Sequence, residues 1–139
     1  MENFVINQNP DKPDLWKILS INNPDGTPRT DGRYPGRIGC IVAILVVGLG
    51  KALIWSYVAD SDGSERHGCR TSGRILRISY DLATEILSAE SKHSHYRLQK
   101  LPEKWGDIYA DRSISLPDWY PGELEAFPFP VPIEPTPSP

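Results

Sequence analysis

The stretch RHGCRTSGRILRISYD, residues 66–81, gathers Arg66, Arg70, Arg74 and Arg77 around an adjacent Thr71-Ser72 pair, and Arg97 follows one strand later. A guanidinium is a planar fork of donors that fits phosphate or carboxylate, and neighbouring hydroxyls and backbone N–H groups complete such a site. Arg70, Thr71 and Ser72, at the entrance to a strand, are therefore the candidate grip for a small anionic ligand, with Arg66 and Arg74 at its rim. His95 and Tyr96, in HSHYRLQKL, are the candidates to cap or stack on a nucleotide base. The plainer reading makes Thr71 and Ser72 ordinary strand residues and Arg70 a solvated or structurally paired side chain.

Other constellations carry less chemistry. His67-x-Cys69 and His93-x-His95 would each put two ligands on one face of a strand, and two neighbouring strands could then offer four to zinc. Zinc sites gather ligands at tighter spacings than these, and no metal or cofactor is expected. Asp60-Ser61-Asp62-Gly63 imitates the start of a calcium loop but lacks its third acidic ligand and closing glutamate, so it reads as a hairpin turn. Gly48-Leu49-Gly50-Lys51 fails the phosphate-loop spacing, and a strand follows it rather than a helix. Ser72 with His67 or His93 has no spacing that selects a triad, and there is no nucleophile elbow; the chain reads as a non-enzyme.

These residues must be held by strands. DLWKILSI (14–21) alternates and is followed by the turn formers of NNPDGTPR. Residues 33–65 read as strand, turn, strand, turn, because β-branched residues dominate, GLGK splits two apolar runs and Asp60 to Gly63 closes the second. RILRISY (74–80) alternates, with Leu76, Ile78 and Tyr80 on one face. DLATEILSAES (81–91) is open between a helical turn and a loop leading to a strand. HSHYRLQKL (93–101) is a last strand that Leu101-Pro102 ends. Five or six short strands predict a mainly β fold, a small antiparallel barrel or sandwich of SH3-like size.

We divide the chain into a β domain over residues 12–101 and an acidic, aromatic, Pro-rich extension over residues 102–139. Eight of the 23 residues from Pro117 onward are proline, which gives a polyproline-prone tail that cannot build a core of its own. It nevertheless carries Trp119, Tyr120, Phe127 and Phe129, so part of it is expected to dock on its own barrel or on a neighbouring subunit.

The net charge of −3 divides into −2 for residues 1–28, +4 for 29–100 and −5 for 101–139. A basic middle with Trp55, Tyr57, Tyr80 and Tyr96 admits a nucleic-acid surface, but a surplus of four charges is modest for that role, and the aromatics fit a core equally well. The N-terminus has no secretory pattern, and the apolar run Ile38–Leu49 is shorter than the ~20 residues a bilayer needs. A cytoplasmic protein without a membrane partner is expected. Its two cysteines, Cys40 and Cys69, read as small buried residues rather than a disulfide.

Arg33-Tyr34-Pro35-Gly36-Arg37-Ile38, Gly50 before a strand ending Trp55-Ser56-Tyr57, Arg70-Thr71-Ser72 and Ser94-x-Tyr96-x-Leu98 together resemble a group of short proteins from phages and mobile elements. The likeness spans residues 33–101 and departs at Lys92 and His93, which stand where that group carries a Thr-x-Asn step. It implies an accessory protein that counters host defence by sequestering a nucleotide second messenger. An alternative is a protein-blocking module that binds a host defence protein, and a further one is a small-barrel nucleic-acid binder. A sequestering protein of this kind is expected to be a homo-oligomer with sites at subunit junctions, working in the host cytoplasm.

Overall fold

The computed structural model describes residues 3–6, 13–28, 34–47, 50–108 and 129–133. In chain order these form β1 (Asn3–Ile6), β2 (Asp14–Asn22), β3 (Ile38–Val47), β4 (Gly50–Ala59), β5 (Cys69–Thr71), β6 (Ile75–Asp81), β7 (Ile86–Ser91), β8 (His95–Lys104), the one-turn helix α1 (Trp105–Ile108) and β9 (Phe129–Pro132). Trp119, Tyr120 and Phe127 lie outside the described residues. The architecture is mainly β, as expected. A seven-stranded antiparallel sheet runs β3-β2-β8-β7-β6-β4-β5, and β3 also pairs with β4. The sheet thus curls back on itself, but β4 meets β6 through one residue pair, Lys51 with Ile75, so that seam stays largely open. No described helix is long and apolar enough to cross a membrane.

Local chemistry sets the corners. Tyr34-Pro35-Gly36-Arg37 closes with the Arg37 N–H on the Tyr34 carbonyl at 3.2 Å, and Gly36 takes φ 90°. Proline at the second position and a positive-φ glycine at the third are what a type II turn requires. The Asn23–Thr27 and Asp60–Ser64 turns share one design. Gly26 and Gly63 donate to the Asn23 and Asp60 carbonyls, while Asp25 and Asp62 each accept from the backbone N–H and the hydroxyl of the residue two places on. Asp60-Ser61-Asp62-Gly63 is therefore a hairpin turn.

In the stretch 81–91 a single turn, closed by the Glu85 N–H on the Asp81 carbonyl at 2.7 Å as in one turn of α-helix, leads into β7. Two further expectations are corrected by bulges. Leu76 does not share the buried face of Ile78 and Tyr80: the β6–β7 register shifts between Ile75 and Arg77, and Leu76 is left 58% exposed. Pro102 does not end β8. The strand runs to Lys104 because the β2–β8 register shifts between Asp14 and Trp16, opposite the stretch that holds the proline. A proline is tolerated there because the ladder is already broken.

One core fills the inside of the curl, with Trp16, Ile18, Ile41, Leu53, Trp55, Tyr80, Leu87 and Leu98 among its members. A second, on the outer face of β2, β3 and β4, joins Leu15, Cys40, Ile54, Val58 and Ala59 under Trp105. β4 is thus buried on both faces, which explains its nearly continuous apolar sequence. Val131 of β9 belongs to the inner core and is fully buried.

Candidate functional site

Strand β5 lies along β4 in the register Arg70 with Trp55, Cys69 with Ser56 and Thr71 with Ile54. Alternation then turns Arg70 to the inner face with Trp55 and sends Thr71, which is exposed, to the other. Ser72 continues along β4: its N–H donates to the Leu53 carbonyl and its hydroxyl accepts from the Leu53 N–H at 2.9 Å. That hydroxyl spends its single proton on the Gly73 carbonyl at 2.8 Å, so in this state it offers a ligand an acceptor and no donor. Arg70, Ser72 and Tyr96 line one apolar pocket together with Trp55, Leu53 and Ile21. It opens about 40 Å³, far less than the ~150 Å³ cavity that takes a benzene ring.

Next to it, and sharing Arg70 and Tyr57, lies an open cleft of about 280 Å³ lined by Tyr34, Arg37, Tyr57, Arg66, Cys69 and Arg70. Its walls come from two turns pressed together. A Cβ on Gly36 would stand 2.9 Å from the Ser61 Cβ, so the Tyr34–Arg37 turn seats directly on the Asp60–Gly63 hairpin. The first turn is also tied to β2, Gly36 donating to the Ile18 carbonyl and Ile18 to the Arg37 carbonyl.

Three guanidiniums converge between two tyrosine rings. Arg70 lies 4.4 Å from the Tyr34 ring centroid, Arg37 lies 5.2 Å from Tyr34 and 5.5 Å from Tyr57, and Arg66 lies 5.2 Å from Tyr57. Ring faces attract such cations most where water is excluded, and Arg37 is only 6% exposed. Among the described residues one carboxylate serves the cluster: Asp60 accepts from Arg37 Nε at 3.4 Å and from an Arg66 terminal nitrogen at 3.2 Å. The Ser61 N–H first, and then both arginines, hold the Asp60 carboxyl below the usual range. Burial works against the charge on Arg70, but hydrogen bonds to the Tyr57 and Tyr34 hydroxyls outweigh it and raise its pKa. Among the described residues no carboxylate pairs with Arg70.

Of the residues singled out in the sequence, Arg70, Ser72 and Tyr96 meet at the apolar pocket, and Arg66 joins Arg70 in the cleft. Thr71, Arg74 and His95 are not brought to this site. Arg74 is exposed at the bend after Gly73, and His95 takes the face opposite to Tyr96, across from Asn22 and Glu90. Sequence reasoning missed Tyr34, Arg37, Tyr57 and Asp60 as members; the available signal was the arginine closing a Tyr-Pro-Gly turn, next to a hairpin with an acidic first residue. Among the described residues no three His, Cys, Asp or Glu side chains are placed to hold a metal ion. Cys40 is buried, its thiol pushed up to about 12 by burial and then by Asp14, and burial raises the Cys69 thiol as well. Compared with protein-family models, curated proteins and solved structures, the chain finds no match.

Proposed function

We propose that this protein is a non-enzymatic binder that sequesters a small phosphate-bearing anion, a nucleotide, and that it serves as an accessory of a phage or mobile element against host defence. The observation that carries the binding reading is Arg70. It stands between a cleft holding two more guanidiniums and an apolar pocket, its guanidinium 4.4 Å from the Tyr34 ring centroid and, among the described residues, paired with no carboxylate. Three clustered cations with one acidic partner repel one another, and an incoming anion relieves that repulsion while gaining charge-assisted hydrogen bonds. A protonated Cys69 is a poor nucleophile, which favours binding over covalent chemistry at this cleft. The anti-defence role and the homo-oligomer rest on the resemblance of residues 33–101 to short phage and mobile-element proteins.

The test is native mass spectrometry of protein purified from cells, wild type beside Arg70→Ala. The expected outcome is a nucleotide-sized mass retained by wild type and lost from the variant. A wild-type chain that carries nothing, or a mass that survives Arg70→Ala, overturns the reading. The blocking of a host protein is the second reading, favoured by the position of β5: among the described strands it ends the order of the sheet, where a partner's strand would be added.

A further inference from the structure

We propose that the anionic group taken by the Arg37–Arg66–Arg70 cleft is a doubly charged phosphate monoester, not a phosphodiester. This rests on the anion-binding reading above and names the class of ligand. Among the described side chains that line or touch the cleft, three guanidiniums face one carboxylate, Asp60, an excess of two positive charges within that set. Glu65 is exposed on the rim, its carboxylate 2.8 Å from His67 Nε2. A phosphate monoester carries about −1.5 to −2 at neutral pH and three free oxygens. A diester carries one charge and two free oxygens.

The donors match the larger number. Arg37 commits Nε to Asp60 and Arg66 commits one terminal nitrogen, while Arg66 Nε is buried without a hydrogen-bond partner among the described residues. Arg70 contributes a third fork. Each guanidinium can therefore take one phosphate oxygen without Asp60 being displaced. The neighbouring apolar pocket, at about 40 Å³, is too small to bury a ring. Recognition then falls on the charged group rather than on a base.

The experiment follows the arginine Nε–H signals of the full chain by NMR during titration with phenyl phosphate and, separately, with methyl phenyl phosphate. The two probes share the ring and differ by one charge. At pH 7.5 the monoester is expected to bind at least ~10-fold more tightly, with Arg66 and Arg70 signals moving, and the preference should shrink at pH 5, below the second phosphate pKa of about 6. Asp60 stays ionised there. His67 and Glu65 on the rim, and Cys69, Tyr34 and Tyr57 in the cleft, face both probes alike, so the ratio isolates the ligand's own charge. Equal affinities with Arg70 still responding would overturn the monoester assignment and leave the anion reading standing. Silence of the Arg70 signal to both probes overturns both.

Discussion

Gly39 shows how one residue without a side chain shapes the site. A Cβ there would lie 2.3 Å from the Ser56 carbonyl oxygen and 2.6 Å from two ring carbons of Trp55. Neither can yield, since one is ladder backbone and the other belongs to a core indole that also walls the apolar pocket beside Arg70. Gly39→Ala is therefore expected to lower stability by about 1–3 kcal/mol, the range for an overpacked core, read from the urea midpoint. A variant with an unchanged midpoint would show that β3 can move away from Trp55. In the sequence Gly39 reads only as a small residue in a β-branched run, because the clash it avoids is with a strand 16 positions away.

At the scale of elements, the two Asp-Gly turns hold the sheet's corners by the same side-chain bonds. Asp25 is held below the ordinary carboxylate range by the hydroxyl and then the N–H of Thr27, and Asp62 by the same two groups of Ser64. Asp60 is lowered by Ser61 and the arginines. A carboxylate with a depressed folded pKa stabilises the native state above the unfolded value, near 3.9, and loses that contribution as pH falls through the folded one. Stability should thus hold flat from neutrality to about pH 5 and then fall. The Asp25→Asn/Asp62→Asn double variant keeps an acceptor at each turn, so its fall should be shallower in denaturant midpoints measured against pH; parallel curves would refute this account. Such turns were legible because Asn/Asp-Gly chemistry is local. The bulges were not. Leu19 and Leu76 sit where the β2–β8 and β6–β7 registers shift, and such a shift belongs to the pairing with a distant strand, to which no window of sequence refers. The same limit divided the site: Arg70, Ser72 and Tyr96 could be placed by strand parity, whereas Arg37 and Tyr34 reach the cleft only because one turn seats on another.

Over the whole molecule, the two ends of the described chain close on each other and on the core. β9 pairs antiparallel with β1, Phe4 opposite Val131, and Ile133 bridges to Tyr80 of β6. The sequence marked this stretch by its prolines and aromatics, of which Trp119, Tyr120 and Phe127 lie outside the described residues. The described residue of this stretch that is fully buried is an aliphatic one, Val131, which shares the inner core with Trp16, Tyr80 and Leu87 of three other strands. Removing residues 117–139 to test for a partner would therefore also empty a core position, and loss of binding would confuse recognition with folding. Val131→Ala separates the two. Two buried carbons at about 0.8 kcal/mol each, plus a cavity term, predict a loss of about 2 kcal/mol. Val131→Asp, which buries an unpaired charge, should cost more and broaden or abolish cooperative unfolding. If the tail merely decorated the barrel, both variants would melt with wild type. A graded loss from Ala to Asp would instead make the C-terminal strand part of the fold that holds Arg70 in place.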